Sequence, residues 1–146
     1  MVDDEMMANA KSRLEAVEQR FTTQRRALVG MLAVSENPLS MPELVTRGEG
    51  MAQSSLYRNL AVLEQAGVVR RIVTDDEFAR FELAEDLTGH HHHLVCSNCG
   101  RVEDLPATAA VERSVADAVE EAARRAGFRT EHHRLDLVGL CADCTA

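Results

Sequence analysis

Apolar positions recur at helical spacing through the first 66 residues. Ala10, Leu14, Val17 and Phe21 stand four, three and four apart, which predicts a helix over residues 10–21. Thr22 and Thr23 can cap a second helix carrying Ala27, Leu28, Met31, Leu32 and Val34, with a stop near Asn37-Pro38. Ser40 followed by Glu43 has the spacing of a capping box, so MPELVTR reads as a short third helix with Pro42 in its first turn. GEGM interrupts the pattern. A fourth helix then follows in AQSSLYRNLAVLEQAG, with Leu56, Leu60 and Leu63 on one face and Gly67 as its stop.

From Val68 the period becomes two. VVRRIVT and FARFEL are β-prone runs on either side of the acidic DDE and read as a hairpin. Three helices, a fourth with a polar outer face and a hairpin describe a winged helix-turn-helix. With its leucines turned inward, the fourth helix keeps Gln53, Ser54, Ser55, Tyr57 and Arg58 outside, near its N-terminal end. A recognition helix needs such residues: Arg reads guanine in the major groove, and Ser, Gln and Tyr meet bases or phosphates. A helical core with a decorative hairpin and a merely solvated helix face is the alternative.

The polar AEDLTG, residues 84–89, reads as a hinge. Beyond it HHLVCSN and RVEDLP form two strands turned by Cys99-Gly100. A helix runs from Thr108 to Ala126 with Val111, Val115, Val119 and Ala122 on one stripe and Gly127 at its end. The final run, FRTEHHRLDLVGLC, predicts a strand with His133, Leu135 and Leu137 on one face and His132, Arg134 and Asp136 on the other. The expected organisation is α+β: a winged-helix domain over 1–83, a hinge over 84–89, and a small α/β domain over 90–146. At 57 residues the last needs a metal staple or a partner to be stable.

Charge divides the chain in the same way. Residues 1–72 hold nine basic and nine acidic side chains, whereas residues 73–146 hold seven and fifteen, so the whole net charge of −8 lies in the second half. Only the first half suits a phosphate backbone, and the second suits cations. No apolar run approaches the ~20 residues of a membrane span, and the acidic start differs from a signal peptide, so a cytoplasmic protein is expected.

In that setting four cysteines favour metal over disulfides. Cys96-x-x-Cys99 and Cys141-x-x-Cys144 are two knuckles able to close one structural Zn2+ site, with two disulfides or a redox dithiol as the alternatives. The run His90-His91-His92-His93 merges into the first knuckle. Strand alternation sends His91 and His93 to one face and His90 and His92 to the other, so one run can feed two metal sites. Histidine with carboxylate suits Zn, Fe(II), Mn(II), Ni or Co. A hydrolytic enzyme fits least, because the four-cysteine site has no open position and the chain has one Tyr, four Phe and no Trp to line a pocket.

SSLYRNLAVLEQAGVV, RFEL, HHHHLVCSNCGRVED and EHHRLDLVGLCADC together resemble the ferric uptake regulator (Fur) family of bacterial metal-dependent repressors. The resemblance implies a homodimer that binds a palindromic operator in double-stranded DNA, with a divalent metal as co-repressor and metal-homeostasis genes as targets. It implies that Tyr57 and Arg58 contact DNA and that Cys96, Cys99, Cys141 and Cys144 hold structural zinc. A regulatory hinge site would take Glu82, His91, His93 and Asp104, and a further site His90, His92, Glu112 and His133.

Two departures leave the regulatory metal open between Zn2+ and Fe2+, with Mn2+ or Ni2+ as further candidates. The first 89 residues contain no His, where iron and peroxide sensors draw one from the loop that here reads Asn37-Pro38. All four cysteines belong to the knuckles, leaving none for a zinc-type hinge site. The hinge is also longer than usual, so Glu85 or Asp86 are alternatives to Glu82. A peroxide-sensing repressor and a metal-storage or zinc-ribbon interaction module are the competing functions.

Overall fold

The computed structural model describes residues 2–74 and 79–146. Helix α1, Asp4–Ala16, starts earlier than the apolar spacing predicts, because the Asp3 carboxylate accepts from the Glu5 N–H and caps it. It also ends before Phe21. Glu18 takes φ 58°, and the Gln19 and Glu18 N–H groups donate back to the Leu14 and Glu15 carbonyls, closing the helix with a Schellman motif. Phe21 instead packs against the core from the loop, with the Arg26 guanidinium 4.6 Å from its ring centroid.

Helix α2, Thr23–Ala33, is capped by Thr22, whose hydroxyl accepts from the Arg25 N–H. Strand β1, Leu39–Ser40, leads into α3, Met41–Arg47, where both halves of the expected capping box form: the Glu43 carboxylate accepts from the Ser40 N–H at 2.7 Å, and the Ser40 hydroxyl accepts from the Glu43 N–H. Helix α4, Gln53–Gln65, buries Leu56, Leu60 and Leu63, and Gly67 at φ +72° completes its turn into the sheet.

Strands β2, Val69–Ile72, and β3, Arg80–Leu83, pair antiparallel with Arg70 opposite Glu82, and β1 joins the other side of β3. The acidic DDE expected to turn this hairpin, and Phe78, lie outside the described residues. Leu14, Leu28, Leu44, Leu56, Leu60, Leu63, Phe81 and Leu83 are fully buried in one core shared by α1 to α4 and this sheet. Truncating any of these leucines to Ala is expected to cost about 2–5 kcal/mol.

Where the sequence suggests a polar linker, Glu85–Thr88 form a single helical turn, α5. Ala84 N–H donates to the Val68 carbonyl at 2.9 Å, Leu87 packs on the core, and the Arg13 guanidinium grips Asp86 while also donating to the Gly67 carbonyl at 2.7 Å.

The second half is a three-stranded sheet with β4, His91–Cys96, at its centre. Strand β5, Val102–Pro106, lies antiparallel to it, and β6, Asp136–Gly139, parallel. The predicted final strand thus shrinks to four residues, because β4 offers β6 partners only from His93 to Cys96. Helix α6, Ala109–Arg125, has its expected ends: Thr108 caps it and Gly127 follows at φ +68°. Neither α6 nor β6 buries a residue, and the buried side chains of this half are His92, His93, Cys96 and Val102. A short α7, Ala142–Thr145, closes the chain. Among the described residues no helix is long and apolar enough to cross a membrane.

Candidate metal centres and nucleic-acid face

The two knuckles meet at the foot of β4. Cys96 ends that strand, Cys99 sits in the following turn, Cys141 caps α7 and Cys144 lies within it. Their sulfurs gather within 4.8 Å of one another, with Cys99 and Cys141 Sγ 3.7 Å apart and no disulfide formed. Thiolates about 2.3 Å from one ion stand about 3.8 Å apart in a tetrahedron, so the spacing fits zinc. Backbone N–H groups of Cys99 and Cys141 point at Cys96 and bring its thiol down to about 6. At Cys144 the Asn98 amide favours the thiolate, but the neighbouring thiols outweigh it and push the group up to about 11. Four sulfurs so close together suit a shared cation, which would hold them as thiolates.

Higher on β4, the alternation of the histidine run does what period two requires. His91 and His93 face Glu82 from β3 and Asp104 from β5. Glu82 Oε2 is 2.9 Å from His91 Nε2 and 3.1 Å from His93 Nε2, and Asp104 Oδ1 is 3.9 Å from each. Ligands about 2.0–2.1 Å from a shared tetrahedral ion stand about 3.4 Å apart, midway between these values. Asp104 Oδ1 is buried with no hydrogen-bond partner, an arrangement that costs free energy unless a cation meets it.

The outward ring nitrogens are also held: His91 Nδ1 donates to the Gly89 carbonyl at 3.0 Å, and His93 Nδ1 to Asp136 Oδ1 at 3.2 Å. Such outer partners fix ring orientation in metal sites. Burial opposes ionisation of Glu82, but hydrogen bonds from His93, His91 and Arg70 prevail and hold its carboxyl at about 2. At Asp104 burial prevails and raises the carboxyl. Burial works against the His91 imidazolium too, yet the Glu82 hydrogen bond raises it.

On the opposite face, His90 and His92 meet Glu112 from α6 and His133 from the segment before β6. His90 Nε2 is 3.1 Å from both His133 Nε2 and Glu112 Oε2, and His92 Nε2 is 2.5 Å from Glu112 Oε1. Two imidazole nitrogens facing each other at that distance suit lone pairs aimed at a common cation. Burial resists ionisation of Glu112, and the three histidines overcome it to lower the carboxyl.

Of the three hinge carboxylates weighed from the sequence, Glu82 joins the cluster, Asp86 is taken by Arg13, and Glu85 turns to His90 Nδ1 and the His91 N–H. Asn37, in the loop before β1, accepts the Asp104 N–H on its Oδ1 at 3.1 Å and so touches the site through backbone. His132 joins none of the three clusters.

On α4, Gln53, Ser54 and Arg58 are exposed, Tyr57 is 52% exposed and Ser55 half-buried. The sequence reading missed Asn59, which bridges Gln24 and Arg25 of α2 and fixes α4 against it.

A model of the ferric uptake regulator family matches residues 16–138, from the end of α1 into β6, taking in both histidine–carboxylate clusters and the first of the two cysteine knuckles. The chain belongs to that family. Family members are metal-dependent, DNA-binding transcription regulators and not enzymes, which sets aside the storage and interaction alternative. The chain is 31% identical over 143 residues to the peroxide operon regulator of Bacillus subtilis (strain 168), covering 92% of each. It is 30% identical over 141 residues to the ferric uptake regulation protein of the same organism, covering 92% of this chain and 91% of that one. The fold matches that of the Helicobacter pylori ferric uptake regulator Fur, whose structure reveals three functional metal binding sites. That match has a TM-score of 0.77 and 21% identity, over 98% of this chain and 93% of that one.

Proposed function

We propose that this chain is a transcriptional repressor in which a divalent cation at the Glu82, His91, His93 and Asp104 cluster acts as co-repressor for a palindromic operator. The observation that carries the reading is the origin of these ligands. Glu82 belongs to β3 of the winged helix, whereas His91, His93 and Asp104 belong to the second sheet, so the set is complete only when the two halves are held together. A bound cation supplies positive charge against two carboxylates. Glu82 then anchors the DNA-binding half, His91 and His93 fix the opposite side, and Asp104 gains the partner its buried oxygen lacks.

The chain acts in this reading as a homodimer, with domains 1–83 and 90–146 joined through 84–89. Support comes from the second half's lack of an apolar core: Leu137, Val138 and Leu140 are 48%, 65% and 54% exposed, and α6 keeps its valine stripe unburied. Gln53, Ser54, Ser55, Tyr57 and Arg58 meet the operator, and the four cysteines hold structural zinc. The cluster at His90, His92, Glu112 and His133 is a third site.

The reading is tested by fluorescence anisotropy on duplexes from the protein's own upstream region, with Zn, Fe(II), Mn(II) and Ni at fixed free concentrations. One metal is expected to switch binding on, and Tyr57→Ala or Arg58→Ala to abolish binding while the dimer stays intact. Binding indifferent to every metal would remove the co-repressor role.

A second reading, peroxide sensing, is favoured by the likeness to the peroxide operon regulator. There the iron form exposed to peroxide gains one oxygen atom on a histidine such as His91. Mass spectrometry finding no +16 Da species on His91 counts against it.

A further inference from the structure

Glu85 has no place in any of the three clusters, yet its Oε1 lies against His90 Nδ1 and 3.3 Å from the His91 N–H, which donates to it. We propose that Glu85 is a positioning residue that couples the His90, His92, Glu112 and His133 cluster to the winged helix. The proposal rests on reading that cluster as a metal site.

Three observations support it. First, His90 is engaged on both sides of its ring. Nε2 faces Glu112 and His133 inside the cluster, and Nδ1 faces Glu85. A histidine that binds metal through one nitrogen ordinarily donates the other N–H to a carboxylate or carbonyl, which fixes tautomer and ring orientation. Glu85 stands in that position.

Second, Glu85 moves with the winged helix. Its neighbour Asp86 is held in a fork by Arg13 of α1 at 3.2 and 2.5 Å, Leu87 packs on the helical core, and Ala84 is bonded to Val68. The backbone freedom left before His90 concentrates at Gly89, whose φ 96° and ψ 156° are readily adopted only by glycine. Glu85 therefore reaches across the pivot from one half to the other.

Third, the cluster has no ligand of its own in the winged helix, because all four come from positions 90 to 133. The hinge cluster is tied to that half directly by Glu82. The further cluster has the Glu85 contact instead. A cation on His90 Nε2 fixes the proton on Nδ1 and strengthens the bond to Glu85, which stiffens the Gly89 pivot and favours the geometry that the hinge ligands require. By linkage the two sites help each other.

The test uses the full chain with zinc in its four-cysteine site and His93→Ala to disable the hinge cluster, so that added Zn2+ reports on the further cluster. Chelator competition measures affinity, and hydrogen exchange follows the amides of residues 87–89 with and without zinc. In this background zinc is expected to slow exchange at 87–89. Adding Glu85→Ala should abolish that zinc-dependent slowing and weaken zinc on the order of tenfold, whereas Glu85→Gln, which keeps an acceptor oxygen, should retain part of both. Equal slowing with and without Glu85 would overturn the coupling while leaving the metal site standing. Failure of the His93→Ala protein to take up zinc beyond the cysteine site would overturn the metal reading and the coupling with it.

Discussion

Arg70 and Glu82 stand opposite each other on β2 and β3, and the guanidinium holds Oε1 of the carboxylate while Oε2 faces His91 and His93. One carboxylate thus serves the wing with one oxygen and the candidate metal site with the other. Arg70 leaves Glu82 a single free oxygen for a cation and orients it.

Replacing Arg70 by Met keeps the apolar stem and removes this grip. The Glu82 side chain is only 9% exposed, so its Oε1 would be left buried and unpaired. The metal-free protein is expected to lose about 1–3 kcal/mol, the cost of an unsatisfied buried group. Added Zn2+ should raise Tm more in the variant than in the parent, as scanning calorimetry would show. An equal shift in both would mean that the Oε1 released from Arg70 gains nothing from the cation.

Asp104→Asn removes a charge without changing shape. Because Oδ1 of Asp104 has no partner and burial already raises its carboxyl, the metal-free protein should lose little or no stability. Zinc binding at the hinge cluster should weaken by no less than the roughly 10–100-fold that outer-shell partners cost. Chelator competition measures this, and unchanged affinity would remove Asp104 from the ligand set.

Stripping zinc from the cysteines should unfold one half and spare the other. The winged helix has its own core of fully buried leucines, whereas residues 90–146 bury Val102 and Cys96 as their apolar side chains. After strong chelation at neutral pH, circular dichroism should show the loss of α6 while a cooperative transition from α1 to α4 remains. Retention of α6 after complete zinc removal would show that the cysteines are not its staple.

Val119→Asp places a charge on the apolar stripe of α6, at a half-buried position. If that stripe is where two copies meet, sedimentation should show a monomer at micromolar concentration with zinc still in the cysteine site. A dimer of unchanged stability would move the interface elsewhere.

Much of this architecture is legible in short-range pattern. Ser40 and Glu43 announce α3, Thr108 and Gly127 bracket α6, and the alternation of four histidines sorts them into two clusters before any coordinates are known. What escapes is decided by partners distant in sequence or by backbone geometry without a residue signal. Phe21 extends the periodicity of α1, but Glu18 enters the left-handed region with no glycine to announce it. AEDLTG reads as a linker because Arg13, 73 positions from Asp86, supplies its anchor. The last strand reads as long because side-chain alternation continues past the point where β4 has backbone groups to pair with.

Placing two ligand sets on opposite faces of β4 limits how such a protein can change. A residue of another type inserted into His90–His93 would shift the histidines on one side of it by one face and hand them to the other pocket, so that both sets are disturbed at once. Point substitutions alter one pocket and spare its neighbour. Length variation is therefore expected to collect on the α5 side of Gly89, upstream of the run, while metal preference drifts through single exchanges among the carboxylates.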